Sequence, residues 1–497
     1  MTATQAQSAT GSVAVSTSPL GAVARWVTLA DHVRIGMSLA LGAALWLAIA
    51  AVVGVVLGVE RFDVGASVVN ADAHIQLFSV HQFALVFGVA APLMLGIALW
   101  SVPSQLHASN ISLPRLAAFG WWAWLAGSIT VLVSYLGNGG PGGGSERYVE
   151  TYLLGLGLVM LGLVALAISL ATTVLTRRNG LPLSAISLGA FSAVVGALGM
   201  VLTLPVAIGT IVYLWVDYTN ARVAFGGAGL IDSWLGWTMR EPQTLLYVAP
   251  ALGVLGDAAV RTAKSRQPLR GVMLTALGIA ATVILSSVTQ QAHVFTVGTS
   301  PSETLASFVP YALFNVVPLL APVVVILLSL LALKAGTPSL SGAFVAAFLG
   351  VGMIFTGLVG SAAMHLDVLD LVGTVFGEAA LVYVVYGAVL ASIGAVALHA
   401  GAVTGKALPD LPVTLLALLG VAATVLASLP HYIAGLLDQS RAAAVGYDDS
   451  GIVGIANIAT SLGHALMLLV LIAFIGLFVS SRRSAAIADR YRVEASA

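Results

Sequence analysis

Long apolar runs broken by short polar segments set the pattern of this chain. A helix that crosses a bilayer needs about 20 mainly apolar residues. Twelve such runs are predicted, near 36–58, 76–100, 116–136, 151–175, 184–214, 242–260, 271–292, 308–333, 341–363, 371–399, 411–436 and 455–480. The fifth is long enough to tilt or to continue past the bilayer. The expected fold class is an all-α membrane protein, a twelve-transmembrane-helix bundle. No internal repeat marks two related halves.

Composition agrees with the pattern. Of 497 residues, 8% are formally charged and 59% are hydrophobic, where a soluble domain carries roughly 25% charged residues. This excludes a soluble enzyme and a disordered chain, and with no Lys/Arg block it excludes a nucleic-acid partner. The chain has no cysteine, so thiolate metal sites, iron–sulfur clusters and cysteine nucleophiles are ruled out.

Loop charge predicts the orientation. With both termini inside, fifteen of the 20 Lys and Arg fall on inner segments. Only Arg61, Arg147, Arg222, Arg240 and Arg441 remain outside. That bias places both ends in the cytoplasm. Residues 1–32 are expected to be a disordered cytoplasmic tail, 33–481 the membrane domain and 482–497 a cytoplasmic C-terminal tail. The glycine-rich segment 137–147 cannot be helical and is expected as an outer loop.

Ionisable groups at membrane depth are costly and mark candidate sites. His81 is expected about 10 Å below the outer end of span two, at 1.5 Å per residue, and Glu378 of span ten at a similar depth. Glu241 and Arg240 stand at the mouth of span six, and His293 at the outer end of span seven. Five groups thus converge on one layer. Asp257 and His464 are expected in inner halves with structural roles, and His365, Asp367 and Asp370 in a solvated outer loop.

Three blocks carry a resemblance. Gln76-Leu77-Phe78-Ser79-Val80-His81 leads, through Pro92 and Pro103, to Leu113-Pro114-Arg115-Leu116 and then Trp121-Trp122-Ala123-Trp124. Gln291-Ala292-His293-Val294-Phe295-Thr296-Val297-Gly298 is the second, and Glu241-Pro242 with Tyr247, Pro250 and Gly253 the third. Together they resemble subunit I of the haem–copper oxidase superfamily, across nearly all of residues 35–480. The resemblance implies a low-spin haem on the His81 position and a respiratory, electron-transferring complex with further membrane subunits.

The departures change what the resemblance implies. The family's three copper histidines fall on Glu241, Ala292 and His293. Its two tenth-helix haem histidines fall on Ala380 and Val382. The tyrosine of the sixth-helix motif falls on Leu245, with Tyr247 two residues on. The paired arginines near the haem propionates reduce to Arg441. Haem iron needs an imidazole, thiolate, thioether or phenolate donor, and copper prefers imidazoles. Whatever the register, span ten holds a single histidine, His399 at its inner end.

The expectation is therefore a divergent cytochrome c oxidase subunit I-like protein of a bacterial cell membrane that does not itself reduce oxygen. One haem on His81 is compatible with it, and copper is not expected. Glu241 and His293 remain candidates for another metal, and Glu378 and Tyr247 for a proton or ion relay. A twelve-span secondary transporter and a cofactor-free scaffold subunit stay open as alternatives.

Overall fold

The computed structural model describes residues 30–62, 69–220, 224–290, 292–441 and 451–496. Nearly all of the expected N-terminal tail lies outside them. Among the described residues, twelve helices are long and apolar enough to cross a membrane. They are α1 (His32–Glu60), α2 (Asp72–Gln105), α3 (Pro114–Leu136), α4 (Glu146–Thr176), α5 (Leu188–Thr219) and α6 (Ala228–Ala263). The other six are α7 (Arg270–Thr289), α8 (Pro301–Ala335), α9 (Gly342–Met364), α10 (Phe376–Thr404), α11 (Asp410–Gly435) and α12 (Gly451–Arg482). The last helix continues to Ser496. Among the described residues there is no β-strand, only isolated bridges between Phe295 and Leu366 and between Thr374 and Ser440. The chain is an integral membrane protein.

Consecutive helices pack against each other, and α12 closes back onto α1. Three helices run through the middle. The apolar windows of α2, α6 and α10 are 94%, 89% and 89% buried, against 28% for α12. Without a hydrophobic force between helices in lipid, close van der Waals approach holds such a bundle together, and small residues permit it. On α9, a Cβ at Gly350 would stand 2.5 Å from the Gly387 carbonyl of α10. The reciprocal Cβ at Gly387 would stand 2.6 Å from the Gly350 carbonyl.

The central helix α2 is not regular. Its chain widens into a π-helical turn over Ala84–Ala90, which begins three residues after His81, and Ala91 N–H reaches Val86 O. In that register the partner of Phe87 O would be the nitrogen of Pro92, which has no hydrogen. The indole N–H of Trp124 on α3 takes the place, donating to Phe87 O at 2.9 Å. Such wide turns often sit at functional sites. Span seven also departs from expectation. It ends at Thr289 rather than 292, after a 3-10 stretch over Ala280–Leu285. His293 therefore lies in the extended chain beyond α7, not on the helix.

Trp124 is fully buried, so Trp124→Phe strands a carbonyl in a water-free interior. The expected outcome is a loss of about 1–3 kcal/mol, read as a lower midpoint of denaturation in detergent with helical content retained.

Candidate functional site

The site forms where α1, α2, α10, α11 and α12 meet, near the face at which α1 ends and α2 begins. Arg61 immediately follows α1. Its side chain is 0% exposed, and its Nη1 donates to Glu378 Oε2 on α10 at 3.0 Å. The other Glu378 oxygen lies 3.3 Å from His81 Nδ1 on α2, whose side chain is likewise 0% exposed. The His81 ring meets the His464 ring of α12 edge-on at 5.3 Å. Tyr386 of α10 and His464 Nδ1 are hydrogen-bonded at 2.6 Å. A second layer ties the ends: Asn457 Nδ2 donates to Arg61 O at 3.0 Å, and its Oδ1 lies 3.3 Å from His431 Nε2 on α11. Arg61 Nη2 also donates to Arg441 O at 3.0 Å.

Local sequence explains these positions. Glycines at 54 and 58 let α12 lie against α1. A Cβ at Gly54 would stand 2.6 Å from the His464 ring, and one at Gly58 2.2 Å from Ser461 Oγ. Glu378 is near the start of α10, yet it meets a histidine nine residues inside α2. The segment before α10 therefore enters the bundle. Leu371 and Val375 are buried there. Its backbone pairs with the segment after α11, Val375 N–H to Gln439 O at 2.9 Å and Arg441 N–H to Gly373 O at 3.0 Å. Those two segments close the cluster from above.

Other expected site residues have local partners. Glu241 Oε1 accepts from Thr244 Oγ1 at 3.0 Å. His293 stacks on Phe314 at 4.3 Å, with Nε2 3.0 Å from Thr289 Oγ1. Tyr247 donates to Thr238 O at 2.9 Å and faces Phe87 at 5.9 Å. The Arg441 guanidinium lies over the Phe78 ring and reaches Asp232 Oδ2 at 3.5 Å, an oxygen that Arg240 also binds. Burial first, and then Arg240, lowers the Arg441 pKa. Among the described residues, no group of three or more His, Asp or Glu side chains is placed to hold a metal ion.

Two expectations need correction, and Arg61, counted beforehand only among the outer charges, is buried against Glu378. His464 does not occupy a separate inner layer; it touches His81. His365 is buried too, with Nδ1 2.8 Å from Ser361 O, since its backbone holds the chain at Phe295 through an N–H to O bond of 2.9 Å. Asp257, by contrast, accepts from Leu188 and Gly189 N–H at 2.9 and 2.8 Å. It caps the start of α5, a structural role.

A haem does not fit at His81 Nδ1 as these residues are packed. Glu378 lies 3.3 Å from that nitrogen and the His464 ring meets the His81 ring edge-on, with all three residues buried. A macrocycle could reach Nδ1 only by displacing Glu378. His81 Nε2 itself is buried without a hydrogen-bond partner.

This geometry defines a class first: a polytopic helical membrane protein with a buried, ion-paired polar cluster between its central and closing helices. The family described as Cytochrome C and Quinol oxidase polypeptide I matches residues 34–480. The chain belongs to that family. It is similar to quinol oxidase subunit 1 of Bacillus subtilis (strain 168), 23% identical over 295 residues that cover 56% of this chain and 45% of that one. It is also similar to a haem–copper oxidase subunit I+III of Aeropyrum pernix, 27% identical over 300 residues, 56% of this chain and 36% of the relative. A probable cytochrome c oxidase subunit 1-alpha of Streptomyces avermitilis is 24% identical over 299 residues, covering 55% and 50%. The chain spans about half the length, or less, of these curated relatives.

Two outcomes are expected. Glu378→Gln leaves the Arg61 charge buried and unpaired, which costs about 3–5 kcal/mol. The double change Arg61→Met with Glu378→Gln recovers much of that loss, measured by unfolding in mixed detergent. Separately, burial holds the His365 pKa below its ordinary 6.5, with the Ser361 carbonyl opposing and Arg240 and His293 reinforcing the shift. The folded chain then resists protonation that the unfolded chain accepts, so this stability is full above about pH 6.5 and falls as pH drops below it. Hydrogen-exchange protection factors across residues 292–300, corrected for the slower intrinsic exchange at lower pH, should fall between pH 7.5 and about 5.5, and less so in His365→Gln.

Proposed function

We propose that this chain is a subunit I-type membrane protein that does not itself reduce oxygen. In it an arginine–glutamate–histidine cluster fills the space between the second and tenth helices to which the resemblance assigns the low-spin haem. The observation that supports this most directly is Glu378, which sits 3.0 Å from Arg61 and 3.3 Å from His81. A buried carboxylate committed to a guanidinium is neither a haem ligand nor a neighbour that leaves room for one. The high-spin haem and copper positions point the same way. Ala380 and Val382 offer no donor, and Glu241 and His293 alone make a poor copper site.

The charge bias supports both termini being cytoplasmic, and the resemblance implies a bacterial cell membrane. The relatives are named as subunits, which supports partner subunits in the same membrane. Glu378 and Tyr247 remain the candidate relay groups. A second reading keeps one haem on His81, and the partnerless Nε2 favours it.

An optical spectrum and elemental analysis of the purified full chain, produced with haem precursor in excess, separate the two. The expected result is no Soret band, iron and copper far below one per chain, and no oxygen uptake with an artificial electron donor. A Soret band that disappears in His81→Ala would overturn the leading reading and establish the second.

A further inference from the structure

A π-helical hydrogen bond encloses one residue more than an α-helical one, and at 3.6 residues per turn one residue is about 100° around the helix axis. The wide turn over Ala84–Ala90 therefore sets the two halves of α2 out of phase. Relative to the inner half, every residue before Ala84 is turned by about 100° from where a regular helix would put it. His81 lies three residues before the turn, and its ring faces Glu378 and His464. A regular α2 with the same inner half would carry that ring more than a quarter of the way around the axis, off both partners.

Two side chains favour the wide turn over the regular one. Pro92 has no N–H for Gly88 O, four residues earlier, and its ring crowds that carbonyl in an α-helical register. The wide register relieves the crowding, but it strands Phe87 O, because the donor five residues on is again Pro92. Trp124 of α3 removes that penalty, with its indole N–H on Phe87 O at 2.9 Å. The neighbouring helix α1 is shaped to this arrangement. A Cβ at Gly42 would stand 2.7 Å from the Trp124 ring, so the absence of a side chain there gives the indole its place. A Cβ at Gly88, inside the wide turn, would stand 2.7 Å from Trp46 Cγ of α1, and Trp46 in turn meets Phe83 edge-on at 5.2 Å.

We propose that Trp124 is a positioning residue for His81. By holding Phe87 O it keeps the wide turn open, and the open turn aims the imidazole at Glu378. The action passes through the backbone of α2. It rests on the contact of His81 with Glu378 and not on whether His81 carries a haem, so the reading of oxygen reduction can fail or stand separately.

The chain has no cysteine, so nitroxide labels can be placed cleanly at Ile75→Cys and Leu154→Cys. Both positions are exposed, on the outer halves of α2 and α4. Pulsed electron–electron resonance on the full chain in nanodiscs then reads the phase of the outer half of α2 as a distance. Trp124→Phe alone leaves the distance unchanged, because the Pro92 ring still opposes closure of the turn. Pro92→Ala alone also leaves it unchanged, because Trp124 still holds Phe87 O. The two together let the turn close, and the distance shifts by several ångströms. About 8 Å is the full displacement of a side chain on a helix surface turned by 100°. An unshifted distance in the double variant would overturn the proposal, since packing of the outer half alone would then aim His81. The full shift in Pro92→Ala alone would overturn it as well, since Trp124 would then hold nothing. Should the double variant not fold, hydrogen exchange in Trp124→Phe decides. Protection of the amides of residues 84–91 is expected to fall at least about tenfold relative to the rest of α2, and unchanged protection there would overturn the proposal.

Discussion

A charge cannot be left alone in a water-free interior, and the end of this bundle at which α1 gives way to α2 is organised around that constraint. Arg61 is fully buried, and Glu378 is the counter-charge that makes its burial tolerable. The pair joins the end of α1 to the start of α10. His81 and His464 bring α2 and α12 to the same point, and Asn457 with His431 adds α11. Five helices are thereby held by one small polar group. A buried ion pair is weak evidence for net stability, because desolvation offsets the attraction. Its firmer consequence is geometric: the helices have few other positions in which both charges remain satisfied.

The same economy governs the backbone. The π-helical turn in α2 and Pro92 together leave Phe87 O without its helical donor, and Trp124 supplies one from the neighbouring helix. The segments on either side of α10 and α11 enter the bundle because they pair with each other through Val375, Gln439, Gly373 and Arg441. Non-helical chain survives at such depth only when its polar groups find partners within the protein. That burial carries Glu378 down to His81.

Much of the site was legible as a set of residues, less so as an arrangement. His81 and Glu378 stood out because ionisable groups within apolar spans are few, and the structure does bring them together. Arg61 escaped notice because it follows the last residue of α1, where a charge ordinarily faces water. His464 was placed in another layer because counting residues along α12 says nothing about how far that helix is shifted against α2. Tyr386 and Asn457 carry no local signal; they matter only through what they touch. His431, an ionisable group inside the eleventh span, carries the same signal as His81 and went unused. Glu241 and His293 were expected in the same layer and Tyr247 as a relay candidate, yet each has its own nearby partner.

The order of apolar runs alone determined that this chain spans a membrane twelve times, because the length of a span is set by the bilayer and hydropathy is a local property. The residues themselves also determined how few imidazoles the spans can offer, nine histidines in the whole chain, since an absent side chain is absent in every fold. Only the tertiary structure decided which polar groups meet. Contacts such as Arg61 with Glu378, 317 positions apart, depend on helix tilt, axial shift and the burial of connecting segments. Those quantities arise from packing among all twelve helices and are written in no single stretch of the chain.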